Sequence, residues 1–114
     1  MTYKTRQEIF DVCAPGLLAQ GRRSADSDDS CYYRGPEGLK CAIGMLIPDE
    51  AYRPWFEGQR VENGAVQRAA GIRDEDVNFA HLLQCVHDET DPEDWKGELI
   101  KIAREFDVDP GVIL

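Results

Sequence analysis

A chain of 114 residues is one domain's worth, enough for a single hydrophobic core and too short for two. Hydrophobic residues at 42% beside charged residues at 31% exclude wholesale disorder, and no apolar run approaches the roughly 20 residues that a membrane span needs. The formal charge of -9 sits on 22 acids against 13 bases.

The chain opens Met1-Thr2-Tyr3-Lys4 without the apolar stretch of a signal peptide, which predicts a protein of the cytosol. Thr5-Arg6-Gln7-Glu8 fits a capping box at a helix start. Ile9, Phe10, Val12, Cys13, Leu17 and Leu18 follow, and Gly21 suits a helix stop. Pro15 predicts a kink or break near Cys13 and Ala14, because it lacks an N–H and crowds the preceding turn. Residues 22–30 carry no large apolar side chain and read as an exposed loop.

Residues 31–34 form a strand candidate, and Gly35-Pro36-Glu37-Gly38 a turn after which residues 39–47 return as a second strand or run into a buried helix. A hairpin in this register pairs Arg34 with Leu39 and Tyr32 with Cys41, leaving Cys31 and Cys41 on opposite faces. Pro48-Asp49-Glu50 starts a short helix, ended before Pro54. Trp55 and Phe56 would form a binding hot spot if exposed, but the favoured reading is that they plug the core beneath a loop. Asn63 as cap and Gly71 as stop bracket a small helix. Asp74 caps a helix from about Glu75 to Thr90 with Phe79, Leu82, Leu83 and Val86 in one stripe. Asp91-Pro92-Glu93-Asp94 starts the last helix, whose inner face is Trp95, Leu99, Ile102, Ala103 and Phe106. The expected fold is therefore a mostly helical α+β domain spanning residues 1–114: a kinked N-terminal helix, a small β-hairpin, short central helices and a C-terminal antiparallel helix pair.

The charge is unevenly placed. Residues 1–73 hold ten acids and ten bases, whereas residues 74–114 hold twelve acids and only Lys96, Lys101 and Arg104. Asp88, Glu89, Asp91, Glu93 and Asp94 fall within seven positions. Such a field repels phosphate backbones, so direct nucleic-acid binding is not expected, and neither is membrane binding. Acids in a first helical turn are stabilised by the helix dipole, by about 0.3–1 kcal/mol each. Asp88 and Glu89, near the opposite end of their helix, gain nothing of that kind. The five together suit either a solvated surface that keeps the protein soluble or a contact surface for a protein partner with a basic face.

Other chemistry has weaker marks. Cys13, Cys31, Cys41 and Cys85 include no Cys-x-x-Cys pair and read as reduced thiols, with Cys13 and Cys85 as small core residues. His81 and Cys85 lie four apart on one helix flank, while His87 is turned about 120° from His81. Zinc would need His81 and Cys85 to meet Cys31 or Cys41. No thiol carries an activating signature, phosphate-cradling glycine patterns are absent, and neither catalytic activity nor a cofactor is expected. Tyr32, Tyr33, Arg34 and Lys40 interleave aromatics with bases, and form an alternative site for a small molecule or nucleotide.

Residues 31–52, CYYRGPEGLKCAIGMLIPDEAY, resemble a segment of small uncharacterised accessory proteins of tailed phages and prophages. The resemblance implies a protein acting in the host cytosol that binds and modulates or inhibits a host protein, immune nucleases included. It carries over no cofactor and no catalytic residue.

Overall fold

In the computed structural model, which describes residues 3–28 and 30–114, four α-helices carry the chain: α1 (Arg6–Gln20), α2 (Gly64–Ala70), α3 (Val77–Glu89) and α4 (Trp95–Glu105). Met1 and Thr2 of the polar N-terminus and Asp29 of the acidic loop lie outside the described residues. The protein is mostly helical, and among the described residues no helix is long and apolar enough to cross a membrane.

Helix α1 is the central element, packing against α3, α4, a 3-10 turn at Gly44–Leu46 and the C-terminal turn Gly111–Ile113. Its buried face is Ile9, Phe10, Cys13, Ala14 and Leu17. The capping box forms as expected, with Thr5 Oγ1 accepting from Glu8 N and Glu8 Oε1 accepting from Thr5 N. Gly21 closes the helix at φ 71°, in the left-handed region that suits glycine. The break predicted at Pro15 is absent, and α1 runs through it as one element. The carbonyl deprived of a partner belongs to Asp11, an exposed position where solvent substitutes for the missing N–H.

The expected hairpin is also absent. Among the described residues the only β pairing is an isolated antiparallel bridge between Ala25 and Cys31, and Pro36–Gly38 is a 3-10 turn. The backbone donors that a ladder requires are taken by side chains instead. Glu57 accepts from Tyr33 N (2.8 Å) and Arg34 N (3.1 Å). Gln20 accepts from Lys40 N (2.9 Å), and Gln84 from Ile43 N (3.1 Å). With these N–H groups satisfied, pairing offers no further gain.

The segment from Pro48 makes a single turn rather than a helix, with Tyr52 N donating to Pro48 O. Pro54–Phe56 is a 3-10 turn, in which successive side chains diverge by about 120°. Only one of its two aromatics therefore points inward: Phe56 is buried, whereas Trp55 is 56% exposed, against expectation. Asn63 caps α2 and Gly71 stops it, both as predicted. Helix α3 begins two residues later than expected, after a 3-10 turn at Asp74–Asp76. It buries Phe79, Leu83 and Val86 against Trp95, Leu99, Ile102 and Ala103 of α4, which follows its own turn at Pro92–Asp94.

Candidate functional site

The motif of residues 31–52 is explained first by its own packing. The Arg34 guanidinium pairs with Asp49 at 2.8 Å, donates to Ile47 O at 3.1 Å and lies 4.5 Å above the Tyr52 ring. Tyr52 donates its hydroxyl to Glu57 at 2.5 Å, and burial with that bond pushes its pKa up to about 12. A Cβ on Gly44 would overlap the Tyr33 carbonyl, and one on Gly35 the Ser24 hydroxyl, so both glycines are required by close approach.

This interlocked loop forms one wall of a cleft of about 460 Å³. Its opposite wall is the flank of α3 carrying His81, Gln84, Cys85, Asp88 and Glu89, and residues 57–61 close one side. Glu57 positions that closing segment through the Tyr33 and Arg34 amides, and Tyr33 donates its hydroxyl to Gln59 O. Three cysteines, Cys31, Cys41 and Cys85, line the cleft, and all are in the thiol form. Cys85, expected in the core, faces this cleft instead and is half-buried. Burial raises its thiol pKa, and the carboxylates of Glu89, Asp88 and Glu62 add to the rise. Cys41 is buried completely, which pushes its thiol up to about 12.

His81 stands between two partners: its Nε2 is 3.4 Å from Cys85 Sγ and its Nδ1 is 3.1 Å from Glu62 Oε1. His87 points elsewhere, as the helical angle requires. It is fully buried, its Nε2 accepts from Ser24 N at 2.9 Å, and its Nδ1 therefore carries the proton donated to Asp88 at 2.6 Å.

The proposed contact acids divide into two groups. Asp88 has the structural benefit that sequence reasoning denied it, since its Oδ1 accepts from both His87 and Gln84. Glu89 lines the cleft beside Asp88. Asp91, Glu93 and Asp94 are exposed and lie together on the link before α4, each offering a carboxylate oxygen within 4.8 Å of the others. Arg23 approaches Asp91 at 3.7 Å while donating to His87 O and Thr90 O.

Of the alternative site, two residues line the cleft and two do not. Tyr32 and Tyr33 line the cleft, with Tyr32 donating its hydroxyl to Asp26 and Tyr33 buried. Arg34 and Lys40 lie outside the lining; the Arg34 guanidinium pairs with Asp49, and the Lys40 backbone N–H donates to Gln20 Oε1. Of the zinc candidates, His81 and Cys85 meet, whereas Cys41 Sγ accepts from Gly44 N in the buried base of the cleft. Glu57 and Glu62 went unnoticed in the sequence, because nothing local marks an acid 24 residues from Tyr33 or 19 from His81 as its partner.

No family model matches the chain, and no curated protein or solved structure matches it.

Proposed function

We propose that the protein is a non-catalytic binding protein that docks its acidic link against a basic surface of a protein partner, with charge steering the encounter. The observation that carries this reading is the grouping of Asp91, Glu93 and Asp94, exposed and mutually close, on a protein whose whole excess charge lies in residues 74–114. Like charges held together cost free energy through repulsion, although the positive end of the α4 dipole offsets part of that cost. A cationic partner offsets the remainder. In keeping with the phage resemblance, the partner is a host protein, and its modulation or inhibition follows from covering a basic groove.

The test is capture of partners from host lysate at low and high salt with the wild type and with the Asp91→Asn, Glu93→Gln, Asp94→Asn variant. A partner retained by the wild type at low salt, lost at high salt and weakened by the triple substitution supports the reading. Equal retention of every captured protein by both forms rejects it.

A ligand-binding reading rests on the cleft beside Tyr32. Its lining weighs against a nucleotide, because Glu57, Asp88 and Glu89 face a single Arg60, and phosphate would be repelled. The same lining favours a cation.

A further inference from the structure

The cleft holds negative charge that the fold leaves uncompensated. Glu57, Asp88 and Glu89 line it, and among the described residues none of the three forms an ion pair with a lysine or an arginine. Glu57 accepts from the amides of Tyr33 and Arg34 and from the Tyr52 hydroxyl, neutral donors that fix the carboxylate without cancelling its charge. Asp88 likewise accepts from the neutral His87 ring and the Gln84 amide. Arg60, the single base of the lining, is exposed and pairs with none of them.

The donors of the lining are spent. Tyr32 gives its hydroxyl to Asp26, Tyr33 to Gln59 O, and Gln84 its side-chain amide to Asp88. With its hydroxyl committed, half-buried Tyr32 contributes ring surface to the wall. The volume of about 460 Å³ falls in the range of about 300–1,000 Å³ typical of ligand pockets. An acceptor-rich, donor-poor cavity with an aromatic wall selects a cation that carries several N–H donors on a flat body. A guanidinium meets that description: it is planar, weakly hydrated, stacks on aromatic rings and divides its donors among carboxylates on different walls. Glu57 stands on the closing segment, Asp88 and Glu89 on α3. An ammonium is a compact, strongly hydrated charge that serves one wall at a time.

The cleft also runs into the acidic link. Asp88 and Glu89 end α3, and Asp91, Glu93 and Asp94 follow directly after Thr90. We propose that the cleft receives one arginine side chain of the protein partner, its guanidinium set between Tyr32 and the carboxylates of Glu57, Asp88 and Glu89, while neighbouring basic residues of the partner lie on the link. The choice of a protein as source of the guanidinium rests on the docking reading, whereas the guanidinium itself follows from the cleft.

The probe is the capped tripeptide acetyl-Gly-Arg-Gly-amide, titrated into isotope-labelled protein and followed by amide chemical shifts at about 0.15 M salt, where charges beyond about 8 Å are screened. Two control peptides carry citrulline, which keeps the shape and loses the charge, or lysine in place of arginine. Saturable shifts are expected at the amides of Gly58, Gln84 and Glu89, with affinity about tenfold lower for the citrulline peptide and about threefold lower for the lysine peptide. Glu89→Gln, at an exposed position, weakens the arginine peptide by about threefold, and Tyr32→Leu does the same. Melting curves report whether Tyr32→Leu folds, and Glu89→Gln decides if it does not. Unmoved cleft amides, equal affinity for the three peptides, or undiminished affinity in Glu89→Gln overturns the proposal. If the Asp91→Asn, Glu93→Gln, Asp94→Asn variant loses the host partner while the arginine peptide leaves the cleft amides unmoved, docking through the link stands and this inference alone falls. If the peptide fills the cleft while host capture is unchanged by the link substitutions, the link reading falls and the guanidinium site is supported.

Discussion

The backbone N–H of Ser24 donates to Nε2 of His87 at 2.9 Å, joining positions 63 residues apart in a region sealed from solvent. The bond fixes the imidazole as the neutral Nδ1–H tautomer. It also stitches the segment after α1 to the end of α3, where the His87 ring stacks on Trp95 with centroids 5.6 Å apart. Arg23 donates to His87 O and Thr90 O, and the indole of Trp95 donates to that same Thr90 carbonyl at 3.0 Å. The acidic link thus hangs from a rigid knot, which presents its carboxylates without an ordering cost at binding.

Truncating His87 to Ala removes a packed ring and leaves the Ser24 amide buried without an acceptor. The expected loss is about 3 kcal/mol, combining cavity and hydrogen-bond costs. Asp88→Asn keeps the shape but loses a charge-assisted bond, and about 1–2 kcal/mol is expected. Urea unfolding with an unchanged m-value measures both. A neutral outcome for His87→Ala would show that the knot contributes nothing. Because Asp88 serves the fold, a clean binding test substitutes only Asp91, Glu93 and Asp94.

A second link joins the helix starts. Asp76 is fully buried, with Oδ1 2.9 Å from Arg6 Nε and Oδ2 2.8 Å from Arg73. Asp76→Ala leaves the partly covered Arg6 facing an empty pocket beside the Phe79 and Phe106 rings that it overlies. Destabilisation of about 3 kcal/mol is expected, the low end for a broken buried pair, since both arginines retain access to water. The reverse charge effect at Glu75, which is exposed, serves as control: Glu75→Gln should leave the melting temperature nearly unchanged.

How much of this could be read from the chain depended on the range of the interaction. Caps at Thr5, Asn63, Gly21 and Gly71 were legible because each couples residues within four positions. The buried stripes of α3 and α4 were legible because helical periodicity repeats them. The hairpin was misread because Glu57, Gln20 and Gln84 bring acceptors from 20 to 41 residues away, and no local pattern announces them. Trp55 was misplaced for a geometric reason, since a three-residue turn buries one neighbour and exposes the other. At the cleft the pairing of His81 with Cys85 followed from spacing, whereas Glu62 arrives from before α2.

Alkaline pH probes the core directly. Burial raises the thiols of Cys13 and Cys41 and the phenol of Tyr33 above their ordinary values, Cys41 to about 12. These groups keep their protons in the folded state after the unfolded chain has begun to lose them. Their stabilising effect is therefore complete below about pH 8.5, where unfolded thiols are still protonated, and is lost as pH rises toward 12. Each contributes a slope of up to about 1.4 kcal/mol per pH unit in that window. Melting curves between pH 8 and 11 should show the decline. Cys41→Ala should decline less steeply by one proton's worth, and parallel curves would show that Cys41 ionises as readily in the fold as outside it.

Two glycines should respond oppositely to the same methyl group. Gly97 is exposed within α4, and a Cβ there meets no atom within 4 Å. Its φ is not in the left-handed region, so alanine incurs no backbone strain, and the helix gains up to about 1 kcal/mol because the unfolded chain loses freedom. For a domain of this size that raises the melting temperature by about 4 °C. Gly44 is buried, and its Cβ would overlap the backbone carbonyl of Tyr33, which cannot rotate aside as a side-chain tip would. Gly44→Ala must displace the interlocked loop that forms the cleft wall, and a loss of several degrees is expected together with faster alkylation of Cys41, otherwise sealed beneath it. Differential scanning calorimetry on both variants, with mass-mapped alkylation of the second, gives the comparison. Equal melting temperatures for the two would mean that the approach of residues 33 and 44 does not hold the cleft in shape.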